Sequence, residues 1–147
     1  GALDMAEEKL SQLGSKALIV TDKVMVELGN CEKVETALKN QKIDYIVYSE
    51  INGEPTDTMI KNGLSLYQED GCDFLIALGG GSPIDSMKAI AALAANGGNI
   101  SDYMGKILLY QFHILLMLVF LVHHKYQQQP VRIFHLLLDQ NRYLMLH

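Results

Sequence analysis

Phe74-Leu75-Ile76-Ala77-Leu78-Gly79-Gly80-Gly81-Ser82-Pro83-Ile84-Asp85-Ser86-Met87-Lys88 decides how this chain is read. Its first five residues are all apolar, too few for a helix and without alternation, which predicts a strand buried on both faces. Three glycines follow at the strand's carboxyl end. The stretch Pro83–Ala95 then reads as a helix that begins near Pro83, with Gly97-Gly98 after its end. Glycines permit positive φ and let a phosphate reach the backbone without meeting a Cβ. The helix N-terminus adds unpaired N–H groups and about half a positive charge. Ser82 can cap that helix or donate its hydroxyl to a phosphate oxygen. The competing reading is a turn that serves packing alone. The segment is neither a Walker A motif nor G-x-G-x-x-G.

Outward from this segment the same grammar repeats. Ala17-Leu18-Ile19-Val20-Thr21 and Tyr45-Ile46-Val47-Tyr48 read as further buried strands. Leu3–Leu13, roughly Cys31–Asn40, and Thr56–Glu69 read as amphipathic helices, with Val34 and Leu38, and Met59 and Leu66, at helical spacings. Gly14 is expected to close the first of them. Strand–helix alternation predicts an α/β fold, a Rossmann-like parallel sheet with flanking helices. Open sheets of this kind bind ligands at the carboxyl ends of their strands, and Asp22 sits one residue beyond Thr21. A carboxylate there can accept hydrogen bonds from a ribose diol and repel a 2′-phosphate. It can equally be a helix or turn cap. The acid usually found about 20 residues after the glycines is missing.

Composition narrows the classes. The chain has 147 residues, 49% hydrophobic and 20% charged, with a net charge of −5. These values fit a globular chain and offer no basic face for nucleic acid. Cys31 and Cys72 make neither a disulfide framework nor a thiolate metal site. The opening residues Gly1–Glu8 are acidic and amphipathic, unlike a secretory signal, so the expected compartment is the cytoplasm. A break falls near Lys106. Residues 1–106 hold all 12 glycines and 16 of the 17 acids but no histidine. Residues 107–147 hold all five histidines and Asp139 but no glycine or alanine. A 41-residue segment of that composition is abnormal for a globular domain.

Val20-Thr21-Asp22-Lys23, Asn52-Gly53-Glu54-Pro55-Thr56 and Gly79-Gly80-Gly81-Ser82-Pro83-Ile84-Asp85-Ser86-Met87-Lys88-Ala89 together resemble the amino-terminal domain of iron-containing (group III) alcohol dehydrogenases. The resemblance spans about residues 1–106. It implies a dinucleotide-binding domain for NAD or NADP. By motif position, Gly79, Gly80, Gly81 and Ser82 would meet the pyrophosphate and Asp22 the adenosine ribose. Asp85 would lie toward the nicotinamide, and Lys88 would be structural or reach across the cleft. The aspartate at 22 favours NAD over NADP by charge repulsion. The resemblance also implies a small alcohol substrate in a complete enzyme, and iron held by one Asp and three His of a second, helical domain. Residues 1–106 have no histidine to supply such ligands, so no catalytic or metal residue is assigned and the chain alone is expected to be inactive. The strand expected before Gly1 and the family's Thr-Thr-rich loop are missing.

Residues 107–147 are expected to be an aberrant or non-family apolar tail. Ile107–Val122 is an apolar run of 16 residues, short of the roughly 20 that span a bilayer. His113, His123, His124, His135 and His147 have no spacing that converges on one ion. Loss of Gly, Ala and acids with gain of Leu, His, Gln and Tyr is what an out-of-frame reading of a coding sequence produces. The expectation is therefore the cofactor-binding part of an oxidoreductase. The alternatives are a glycerol dehydrogenase-like fragment, or a non-catalytic protein that uses the tail for membrane attachment or for contact with a partner or a second copy.

Overall fold

The computed structural model describes Leu10, residues 13–102 and, as backbone, the strand 132–136. In chain order these hold β1 (Lys16–Val20), α1 (Lys23–Glu27), α2 (Asn30–Asn40), β2 (Asp44–Tyr48), α3 (Asp57–Glu69), β3 (Phe74–Leu78), α4 (Gly81–Asn96) and β4 (Arg132–Leu136). The strands form one sheet in the order β2-β1-β3-β4, and every pair is parallel. The parallel α/β architecture expected from the sequence is thus what the chain adopts. The expected first helix, Leu3–Leu13, lies largely outside the described residues.

Two cores explain why the strands read as continuous apolar runs. Leu18, Val20, Leu75 and Ala77 point to one face, where they pack with Ile60 and Tyr67 of α3 and Met87 and Ile90 of α4. Ala17, Ile19, Phe74, Ile76 and Leu78 point to the other, against Val34, Ala37 and Leu38 of α2 and against Leu10. Alternate side chains go to opposite faces, and both faces are covered, so no position of β3 is free to be polar.

The amino-terminal edge of the sheet is held by a carboxylate. Asp73 accepts from Ser15 N at 2.7 Å, Ser15 Oγ at 2.8 Å and Lys16 N at 2.9 Å. Burial pushes this carboxyl up, but the three hydrogen bonds outweigh it and hold the group below its ordinary value. Gly14 serves this clamp, because a methyl there would strike the Asp73 carboxylate.

Four elements depart from the expectation. Strand β2, expected to be buried on both faces, lies at the end of the described sheet, where Tyr48 alone of its residues is buried and Val47 is exposed. Helix α1 has no buried residue, so it carries no apolar stripe by which a sequence could announce it. Helix α4 begins at Gly81, two residues before Pro83, because the glycine turn runs straight into helical geometry. Strand β4 comes from the segment to which no element was assigned, and it pairs with β3 from Phe74↔Arg132 to Leu78↔Leu136.

Candidate functional site

The chain leaves β1 toward β2 on one side and β3 toward β4 on the other, with α2 on one sheet face and α4 on the opposite one. Neighbouring parallel strands whose connections diverge leave a crevice at their carboxyl ends, the usual ligand position of open α/β sheets. That crevice lies between the ends of β1 and β3, and there the structure brings Asp22 and the glycine turn together.

Asp22 caps α1, its Oδ1 accepting from Met25 N at 2.9 Å. Its other oxygen, Oδ2, lies only 3.0 Å from where a Cβ on Gly79 would be, and Pro83 Cγ is equally close to that point. Gly79 has φ +132°, so glycine is required there both by backbone conformation and by its neighbours. The cap reading of Asp22 is therefore correct, and it leaves one carboxylate oxygen beside the turn.

Gly80 and Gly81 differ from Gly79. Neither has positive φ, so within the triplet Gly79 is the residue that uses that freedom. A Cβ on either would meet nothing within 4 Å. Every other described glycine either has positive φ or would strike a side chain. Among the described residues, nothing in the chain demands glycine at 80 and 81. They are exposed, at the start of α4.

Ser82 is the second residue of α4 and not its cap. The N-cap is Gly80, which has no side chain to offer, and no side-chain hydrogen bond closes the helix start. Gly81 and Ser82 therefore carry first-turn N–H groups with no intrahelical acceptor, while Pro83 has none to satisfy. Asp85 lies one turn further along, its Oδ1 paired with Lys88 Nζ at 3.2 Å. Its partner is thus on its own helix and not in the Asp22–Gly79 cluster.

A residue missed in the sequence is Thr21. It is fully buried, and its hydroxyl donates to Leu78 O at 2.8 Å. A polar residue closing an otherwise apolar strand, immediately before Asp22, was the available signal. Cys31 and Cys72 are buried and free. Burial and Glu35 push the Cys31 thiol up to about 12, and burial pushes Cys72 up to about 11. Neither is a nucleophile near neutral pH. Among the described residues no three His, Cys, Asp or Glu side chains come together to hold a metal, and no helix is long and apolar enough to cross a membrane. These residues do not fit an iron centre.

A parallel α/β sheet with a glycine turn and a strand-end carboxylate at its switch point defines a Rossmann-like domain. The model of the iron-containing alcohol dehydrogenases matches residues 1–119, and the chain belongs to that family. Over 106 residues it is 38% identical to the NAD-dependent methanol dehydrogenase of Bacillus methanolicus, a match covering 71% of this chain and 28% of that protein. The crystal structure of a 1,3-propanediol oxidoreductase superposes with a TM-score of 0.67 at 32% identity, covering 70% of this chain and 27% of that one. A sulfoacetaldehyde reductase from Bifidobacterium kashiwanohense, solved in complex with NAD+, gives a TM-score of 0.56 at 26% identity, over 69% of this chain and 26% of that one. The chain thus spans about a quarter of the length of the relatives it matches.

Proposed function

We propose that the crevice between β1 and β3 binds NAD, in preference to NADP, as the cofactor-binding part of an alcohol-oxidising or aldehyde-reducing enzyme. One observation carries this reading: Gly80 and Gly81 have no internal reason to be glycine, yet they open a helix whose first-turn N–H groups are uncapped. Space kept free of side chains in front of such N–H groups suits a pyrophosphate. When bound, NAD supplies the hydride acceptor. Asp22 Oδ2 is available to a ribose diol while Oδ1 keeps its bond to Met25, and its charge opposes a 2′-phosphate. Ser82, a half-buried residue of the same first turn, would donate its hydroxyl to a phosphate oxygen.

The relatives named above are, by their names, a methanol dehydrogenase and a propanediol oxidoreductase, which supports a small alcohol as the substrate class. Among the described residues no three metal-donor side chains come together, so the ligands of an alcohol-polarising metal would lie outside them. Isothermal titration of the full chain with NAD and NADP tests the reading. Saturable NAD binding, tighter than NADP, is expected. Failure to bind either dinucleotide would overturn it.

A further inference from the structure

The end of β1 is fastened in an unusual way. The backbone ladder between β1 and β3 runs from Ala17↔Phe74 to Val20↔Ala77 and stops there. The next residue, Thr21, gives its N–H to the other neighbour, β2, bonding Tyr48 O at 2.9 Å. In a parallel strand each residue's N–H faces one side only, so this residue has no main-chain donor left for β3. Its hydroxyl takes that place, reaching Leu78 O at 2.8 Å in a site fully closed to water. Thr21, the residue after β1, thus ties the last carbonyls of β2 and β3 together at the strand ends. Its successor is Asp22, and the successor of Leu78 is Gly79.

We infer that Thr21 is a positioning residue of the dinucleotide site: its buried hydroxyl sets the Asp22 carboxylate against the glycine turn. The inference deepens the NAD reading above and rests on it for its binding arm. The spacing it controls is narrow, since Asp22 Oδ2 and Met25 Cγ lie 3.0 Å and 3.4 Å from the Cβ position of Gly79. Among the described residues this is the side-chain hydrogen bond that joins the end of β1 to the end of β3. A methyl in place of the hydroxyl leaves a buried carbonyl facing carbon, and the two strand ends separate to relieve it.

Thr21→Val and Thr21→Ser in the full chain provide the test, with two readouts. The first needs no nucleotide: the NOE between Gly79 Hα and the Met25 side chain. It is expected to weaken in Thr21→Val and to return in Thr21→Ser. The second is affinity. NAD binding is expected to weaken about tenfold in Thr21→Val. The preference for NAD over NADP should narrow as well, since Asp22 no longer faces the ribose squarely. Serine should restore both to within about twofold, because it keeps the donor. Thr21→Ala carries the same comparison if valine prevents folding. A Thr21→Val protein with a lower Tm but the wild-type NOE and an unchanged NAD-to-NADP ratio would overturn the inference and leave Thr21 a stability residue. If wild type binds neither dinucleotide, the NAD reading fails, while the NOE arm still decides whether Thr21 positions Asp22.

Discussion

Replacing Gly81 with alanine is expected to make this protein more stable and a worse nucleotide binder. Gly81 is the first residue of α4, has no positive φ, and is exposed with nothing within 4 Å of a built Cβ. Alanine there adopts the existing backbone without strain and removes conformational freedom from the unfolded chain. That stabilises by about 0.4–1 kcal/mol, a rise in Tm of roughly 2–6 °C for a domain of this size. The same methyl occupies space in front of the helix N-terminus. A pyrophosphate held off the first-turn N–H groups loses at least one charge-assisted hydrogen bond, about 1.5–3 kcal/mol, or roughly 10- to 100-fold in NAD affinity.

Gly79→Ala is the contrasting control. It must take φ +132° and place its methyl 3.0 Å from both Asp22 Oδ2 and Pro83 Cγ. Strain and overpacking together predict a loss of roughly 2–4 kcal/mol. Thermal unfolding and titration calorimetry on the three proteins separate the two effects. If Gly81→Ala gains stability and binds NAD as wild type does, the open space at the turn is not a phosphate site, and the argument from unexplained glycines fails.

Four further outcomes follow from the same geometry. Asp22→Ser keeps a side-chain oxygen to cap α1 but loses the charge and the second oxygen, so NAD and NADP affinities measured by titration should converge without a large fall in Tm. Asp73 titrates below its ordinary value of 3.8 in the folded chain, so its stabilising contribution, complete above about pH 4, is lost as pH falls through the lower folded value; Asp73→Asn should flatten that acid limb in a Tm-against-pH series. Cys31 and Cys72 should resist iodoacetamide near pH 7 in the folded protein and react on addition of urea, as mass spectrometry would show. Added Fe²⁺ or Zn²⁺ should not produce NADH from short alcohols with this chain alone, and turnover that vanishes on His123→Ala with His124→Ala would refute that.

How much of this was legible in the sequence depends on whether a feature is local. Strand β3 was read to the residue, because both its faces are covered and the apolar run has sharp ends. The α3 helix was read as Thr56–Glu69, one residue too long, because Thr56 is its cap and accepts from Met59 N. The site's location followed from a strand-end rule that needs only Asp22 and the glycines in sequence. Its internal logic did not. Which glycine takes positive φ depends on Pro83 and Met25 packing around Gly79, a tertiary fact. Helix α1 was missed because Val24, Val26 and Leu28 stay exposed, leaving no periodic buried stripe. Strand β4 was missed because Arg132-Ile133-Phe134-His135-Leu136 lies in a segment without glycine to mark its ends.

On the NAD reading proposed above, the carboxyl edge of this sheet would put folding and ligand tasks on the same few atoms without collision. Asp22 spends Oδ1 on the Met25 amide and keeps Oδ2 at the turn. Thr21 spends its N–H on β2 and its hydroxyl on β3. Gly79 makes room for both neighbours, and among the described residues nothing lies within 4 Å of a Cβ position on Gly80 or Gly81. A ligand entering the crevice would therefore find its donors and its carboxylate already fixed by bonds that it need not break. Rigid placement of that sort limits the ordering cost of binding, which is where a small interface gains most of its affinity. Val20–Lys23 and Gly79–Ala89, two of the three stretches that carry the family resemblance, both lie at this edge. Those stretches are where one side chain must satisfy two neighbours at once, and few residue types can do so.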